Sequence, residues 1–146
     1  MTERAVNLMP PARAEEVRRR LEELRVLGLP LFEPHCLISG DPNPINWGLR
    51  TDGTVNLFDW ERFTSASPLI DLAITVPGLG RLEDFQCVID TYNAVSDRLE
   101  LPRHSVAGLV VAKAWTVVEL LEKVSDGEIK RYLVNALPDW LERVSL

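Results

Sequence analysis

The sequence predicts a mainly helical α+β fold, a helical bundle that carries one small β-hairpin. Five segments show helical spacing of apolar residues or helix-capping signals, and they cover residues 12–27, 68–76, 82–99, 104–124 and the stretch after 125. Residues 47–58 contain two short apolar runs joined by an Asp-Gly pair, which is a strong hairpin signal. Hydrophobic content of 46% over 146 residues is typical of one globular domain.

The helix boundaries follow from ordinary start and stop residues. These are Gly28 and Pro30 after the first helix, Ser67-Pro68 before the second, Pro77 after it, Pro102 before the fourth, and Ser125-Asp126 before the fifth. Pro138 removes a backbone donor from the last helix and should kink or split it. The apolar face of the third helix is expected to comprise Phe85, Val88, Tyr92, Val95 and Leu99.

Composition and charge argue against several classes of function. The net charge of −6 argues against a nucleic-acid partner, because phosphate binding needs clustered Lys and Arg. No run reaches the length of about 18 apolar residues that a membrane helix needs, and the first residues lack an apolar signal core. Cys36 and Cys87 have neither disulfide-framework nor zinc-ligand spacing, so we expect two reduced thiols in a cytoplasmic protein.

The most informative segment comprises residues 39–46 (Ser-Gly-Asp-Pro-Asn-Pro-Ile-Asn), followed by residues 58–61 (Phe-Asp-Trp-Glu). Kinase-type phosphotransferases use such a set, with one Asp for the acceptor hydroxyl and then an Asn and an Asp for magnesium. If the hairpin turn is centred on residues 52–53, the outward count places Asn46 opposite Asp59, with Cα atoms about 4.5–5.5 Å apart. Two oxygen ligands would then meet at the open end of the hairpin, as magnesium requires. The alternative is a surface loop with solvated carboxylates, since Asp, Asn and Pro are common in turns.

Residues 35–76 resemble the catalytic segment of the aminoglycoside phosphotransferase and choline kinase-like family. That family has His-Gly-Asp-x4-Asn, a short hairpin, Ile-Asp-Trp-Glu, and then a proline followed by Asp-Leu-Ala, and this chain has matching blocks in that order. The resemblance implies that Asp41 orients or deprotonates the acceptor hydroxyl. It implies that Asn46 and Asp59 hold magnesium and that Asp71 supports the loop from behind. Ser39 replaces the histidine of the family, which puts the geometry of the loop in question.

The resemblance covers only the C-terminal lobe of a protein-kinase-like fold. The N-terminal lobe of such kinases is a sheet with a phosphate-covering loop and a lysine that grips the phosphates. The 40 residues before Asp41 contain no lysine and no glycine-rich loop, so we expect that this lobe is absent. The expected organisation is a single domain 1–146, with a helix and connector at 1–34, the catalytic-loop, hairpin and metal segment at 35–76, and a helical subdomain at 77–146.

Two functions stay open at this point. The first is ATP- and magnesium-dependent transfer of a phosphoryl group to a hydroxyl of a small molecule, aminoglycoside- or choline-like, by a chain that is incomplete or inactive in isolation. The second is a non-catalytic lobe that acts as a binding or assembly module. The expected partners are the hydroxyl acceptor and either a second copy of this chain or a chain that supplies the N-terminal lobe.

The absent lobe should leave apolar side chains in water. The candidates are Leu24, Leu27, Leu29, Leu31, Phe32, Trp47 and Leu49. An exposed patch of this kind predicts a homodimer. The alternative is that the first helix folds back over the gap, which would remove the need for a partner. The acidic charge would suit a cationic acceptor such as an amino sugar or choline. The four tryptophans form either a cage for such a cation or ordinary packing contacts.

Overall fold

A computed structural model describes residues 2–97 and 100–144 of the chain. The helices in this part are α1 Thr2–Asn7, α2 Pro11–Leu27, α3 Leu69–Thr75, α4 Leu82–Val95, α5 Ser105–Lys123 and α6 Glu128–Arg143. The strands are β1 Cys36–Ile38, β2 Trp47–Leu49, β3 Val55–Leu57 and β4 Thr64–Ala66, and single 3-10 turns cover Leu29–Phe32 and Pro44–Asn46. The fold is therefore mainly helical, as the sequence predicts.

Helix α5 lies at the centre of the helical core. It contacts α1, α2, α3, α4 and α6, and its buried side chains include Leu109, Val110 and Leu121. A helix that is apolar on most of its faces needs such burial on all sides. Gly108 lets α3 approach closely, because a Cβ there would lie 2.7 Å from Leu69 Cδ1. This close packing fixes α3, and α3 carries one residue of the candidate site.

Two antiparallel two-stranded sheets form between residues 36 and 66, and one of them lies within the loop that the other closes. Strand β1 pairs with β4, with Cys36 opposite Ala66 and Ile38 opposite Thr64, and this pairing had no signal in the sequence. Strands β2 and β3 form the expected hairpin. The β1–β4 pair therefore closes a loop that contains the whole hairpin, and residues 39–46 begin where β1 ends.

The register of the hairpin differs by one residue from the prediction. Trp47 pairs with Leu57 rather than with Phe58, so the loop has three residues, and Phe58 N–H donates to Asn46 O at 2.7 Å. The physical reason is Gly53, whose φ of +83° places a left-handed residue at the third loop position. The expectation that Asn46 lies directly opposite Asp59 is therefore wrong, because Asp59 is one position further along.

Three other expectations about helices need correction. The first 34 residues contain two helices, because α1 precedes the predicted one. Helix α6 continues through Pro138 without a break, since the buried neighbours Leu137 and Trp140 pack it into the core. Helix α4 ends at Val95, which is 79% exposed and not part of the apolar face. The predicted contact at Leu99 lies outside the described residues.

Candidate functional site: the Asp41 loop and the end of the hairpin

Asp71 holds the start of the Asp41 loop (residues 39–46) through three hydrogen bonds. Its Oδ2 accepts from Ser39 N at 2.8 Å and from Ser39 Oγ at 3.0 Å, and its Oδ1 accepts from Gly40 N at 2.9 Å. The role of loop support that the resemblance implies for Asp71 is therefore present in the geometry. The buried Ser39 hydroxyl is part of this support, although the family has histidine at its position.

Gly40 allows the loop to pass against the chain after the hairpin. Its φ is +76°, and a Cβ at this position would lie 2.5 Å from the carbonyl oxygen of Arg62. Only glycine combines that backbone conformation with that close approach. The loop is thus fixed on two sides, by Asp71 and by the backbone of Arg62.

Asp41 is half-buried, and the amides of two loop asparagines contact it. Asn43 Nδ2 donates to the Asp41 carboxylate, and Asn46 Nδ2 donates to the Asp41 carbonyl oxygen at 2.9 Å. Prolines 42 and 44 restrict the backbone between these residues. The nitrogen of the Asn46 amide is therefore used within the loop, and its oxygen makes no hydrogen bond to the described residues.

Asp59 has an unusual backbone conformation. Its φ is +59°, and among the described residues it is the only non-glycine residue with a positive φ. Left-handed backbone costs about 1–3 kcal/mol outside glycine and is concentrated at functional sites. The exposed Asp59 carboxylate forms no hydrogen bond with the described part of the chain. Sequence reasoning selected Asp59 by its motif but gave no sign of this conformation.

Arg62 connects Asp41 and Asp59 electrostatically. The pKa of its guanidinium is raised, first by hydrogen bonding to Glu119 and then, more weakly, by the charges of Asp41 and Asp59. Arg62 Nη1 donates to Glu119 Oε2 at 3.1 Å, and Nη2 donates to Glu119 Oε1. Both carboxylates therefore favour the charged form of one arginine, which Glu119 binds, although the sequence separates them by the whole hairpin.

Glu119 is the residue of this region that the sequence analysis missed. It binds Arg62 in a bidentate pair and Lys123 Nζ at 2.7 Å, and these partners lower its pKa to about 2, the Arg62 hydrogen bond being the main cause. The Glu119–Lys123 spacing is an ordinary helical ion-pair signal. No local pattern indicates the contact of Arg62 with Glu119, because the contact joins distant parts of the chain.

The Asp59 carboxylate and the Asn46 amide oxygen are donors of the chemical type that magnesium prefers. Within the described residues, no group of three or more His, Cys, Asp or Glu side chains is arranged to hold a metal. Magnesium needs fewer protein ligands, because it is usually held by one or two carboxylates, with waters and substrate phosphates completing its shell. The free carboxylate of Asp59 and the unused amide oxygen of Asn46 provide that small donor set.

A groove of about 280 Å³ lies beside Asp41. Its lining includes Ile38, Ile70 and Trp115 as apolar walls, with Arg62 and Glu119 at the charged side. The four tryptophans do not form a cage: the ring contacts in the described residues pair Phe32 with Trp115, Trp60 with Phe63, and Phe85 with Trp140. Of the two alternatives for the tryptophans, ordinary packing describes these contacts.

Comparison of the chain with protein families, with curated proteins and with solved structures found no match. None of the helices in residues 2–97 and 100–144 is both long and apolar enough to cross a membrane. The geometry of the Asp41 loop and the motifs in the sequence are therefore the features from which we infer the function of the chain.

Proposed function

We propose that the chain is the acceptor- and metal-binding lobe of a small-molecule kinase, which transfers a phosphoryl group from magnesium-bound ATP to a hydroxyl. The observation that carries the proposal is the loop itself: Asp71 holds it through three hydrogen bonds, and it presents Asp41 at a groove that Arg62 also lines. An Asp for the hydroxyl and an Asn-Asp pair for the metal are the parts that phosphoryl transfer needs from this lobe.

Each residue has a defined part in this chemistry. The Asp41 carboxylate accepts a hydrogen bond from the acceptor hydroxyl and takes its proton as the new O–P bond forms. Asn46 and Asp59 would hold magnesium, which would neutralise charge on the phosphates when it is bound. Phosphoryl transfer passes through a loose transition state, so correct positioning matters more than covalent help from the protein.

All three lysines of the chain have partners other than a phosphate group. Lys113 is buried, and its Nζ donates to Ala73 O at 3.2 Å and to Val76 O at 2.7 Å at the end of α3. Lys123 pairs with Glu119, and Lys130 pairs with Asp126. The proposal therefore requires a nucleotide-binding lobe from a further segment or another chain, and it predicts weak or no ATP binding by these residues alone.

Calorimetry with magnesium-bound ATP tests the nucleotide part of the proposal. The 146-residue chain should give no saturable heat at micromolar concentrations. Micromolar binding that disappears in Asp59→Ala would contradict this expectation and would indicate a complete nucleotide site.

Paramagnetic NMR with Mn²⁺ in place of magnesium tests the metal site directly. Mn²⁺ should broaden the amide signals of Asp41, Asn46 and Asp59 in the wild-type chain. The broadening should disappear in Asp59→Asn, where asparagine still tolerates the left-handed backbone. The matched control is Asp52→Asn at the other end of the same hairpin, which should keep the broadening. Equal broadening in both variants, or broadening centred elsewhere, would refute the metal assignment.

Exposed apolar side chains favour a second candidate, a binding or assembly module. Five of the seven predicted side chains are exposed; we call them the exposed apolar set, namely Leu27, Leu29, Phe32, Trp47 and Leu49. The other two, Leu24 and Leu31, are buried in the core. The partner that we propose is a second copy of the chain, since a two-fold contact closes such a surface with one self-complementary interface.

A further inference from the structure

The groove beside Asp41 has walls that are unusual for a site that binds polar cations. Its volume is about 280 Å³, and Asp41 is one of its lining residues. Most of the exposed surface of the lining is apolar and comes from seven of the fifteen lining residues, namely Phe32, Ile38, Ala66, Ile70, Ile74, Trp115 and Leu120. Ligand sites with such walls bury the body of a ligand and use a few polar groups to orient it.

The groove is lined by two acidic and two basic side chains, Asp41 and Glu119 with Arg62 and Lys123, so their formal charges balance. Glu119 accepts hydrogen bonds from Arg62 and forms an ion pair with Lys123, so its charge is already compensated within the chain. A cationic acceptor would also approach the positive charges of Arg62 and Lys123. The groove therefore complements an uncharged body, with Asp41 left to accept one hydroxyl proton.

A second apolar groove of about 410 Å³ adjoins the first. Phe32, Ile70, Trp115 and Thr116 line both grooves, and the edge-to-face pair of Phe32 and Trp115, with ring centroids 5.5 Å apart, stands between them. The second groove continues along α2 and α5 toward Gly28. A ligand body larger than the first groove therefore has further apolar surface next to it.

We propose that the acceptor at Asp41 is an uncharged alcohol with an apolar ring body, rather than an amino sugar or a choline-like cation. The apolar body lies against Phe32, Ile70 and Trp115, and the hydroxyl points to Asp41. The assignment of the hydroxyl to Asp41 rests on the proposed function. The binding of the apolar body does not, because it depends only on the walls of the groove.

Two-dimensional ¹H–¹⁵N NMR of the wild-type chain tests this proposal with 2-(2-naphthyl)ethanol as the probe. The indole N–H signals of the four tryptophans report on different places, and Trp115→Phe identifies the one in the groove. The probe should shift the Trp115 indole signal in a saturable way and leave the exposed Trp60 indole unchanged. Choline and glucosamine at the same concentration should leave both signals unchanged.

A groove-filling variant provides the structural control. Thr116→Phe should weaken the response about tenfold or more, because the new ring occupies the volume that the probe needs. Val95→Phe adds the same ring at an exposed position of α4 and should bind the probe like the wild type. If Thr116→Phe does not fold, Phe32→Ala serves instead, since it removes a half-exposed wall of the groove, and it should also weaken the response.

The proposal is overturned if choline or glucosamine shifts the Trp115 signal at lower concentration than the naphthyl alcohol. It is also overturned if the alcohol moves Trp60 as much as Trp115, or if neither groove variant weakens the response. The Mn²⁺ experiment separates this result from the proposed function. A Trp115 response without Mn²⁺ broadening near Asp59 would leave the apolar-body site in place and reject the kinase assignment.

Discussion

Replacement of Asp71 by alanine should destabilise both the Asp41 loop and the whole fold. The change removes the acceptor of three hydrogen bonds, from Ser39 N, Ser39 Oγ and Gly40 N. Ser39 is only 4% exposed, so water cannot replace the lost partner of its N–H, whereas Gly40 is half-buried and is partly solvated. An unsatisfied buried donor costs about 1–3 kcal/mol, so two backbone donors with unequal burial predict a loss of about 2–4 kcal/mol. Asp71→Asn keeps one acceptor oxygen and should lose about half as much.

Urea denaturation followed by circular dichroism measures the loss, and hydrogen exchange locates it. The amides of Ser39 and Gly40 should lose protection in Asp71→Ala more than the amides of α5 do. The matched control is Asp90→Asn on α4, where an exposed aspartate accepts a bond from Gln86; its unfolding free energy should stay within about 0.5 kcal/mol of the wild type. If Asp71→Ala is as stable as Asp90→Asn, or if Ser39 and Gly40 keep their protection, the support of the loop by Asp71 is refuted.

Three further predictions follow from other contacts. Burial lowers the pKa of Lys113 from 10.5 to about 8, so the unfolded chain binds more protons than the folded chain between those pH values. In urea titrations, the unfolding free energy of the wild type relative to Lys113→Met should therefore rise by about 3 kcal/mol from pH 8 to 10.5. A difference that does not change with pH would contradict this. The pKa of Glu119 is lowered to about 2, mainly by Arg62, so its contribution to the unfolding free energy is complete above pH 4.5 and is lost as the pH falls toward 2. In acid titrations, the wild type should lose about 1 kcal/mol of unfolding free energy relative to Glu119→Gln, a value that allows for solvent screening. Parallel acid curves would argue against the ion pair. Light scattering at micromolar concentration should give twice 16.5 kDa for the wild type and 16.5 kDa for Leu49→Glu in the exposed apolar set. The control is Ile129→Glu on α6, which also replaces an exposed apolar residue and should stay dimeric. A monomer mass at every wild-type concentration would reject the dimer.

Three of the helices could be predicted closely from the sequence because their signals are local. Periodicity and caps placed α2, α3 and α5 within a residue or two of their observed bounds. The β1–β4 pairing and the contact of Arg62 with Glu119 could not be predicted, since each joins distant segments of three residues or fewer. Tertiary packing also decided the outcome at Pro138, where buried neighbours outweigh one missing backbone hydrogen bond.

The motifs select Asp41, Asn46 and Asp59 as candidate site residues, and this assignment stays a prediction, but they do not predict the register of the hairpin that leads to Asp59. A two-residue and a three-residue loop are both compatible with Asp-Gly, and they differ by one position in the register. Since side chains alternate along a strand, a shift of one residue would turn Asp59 toward the opposite side if the strand continued. The strand ends at Leu57, and the backbone turns left-handed at Asp59, so the alternation along a strand does not set the direction of this side chain. The strained conformation of Asp59 and the unexpected register are thus two parts of one geometry, and the sequence contains a signal for neither part.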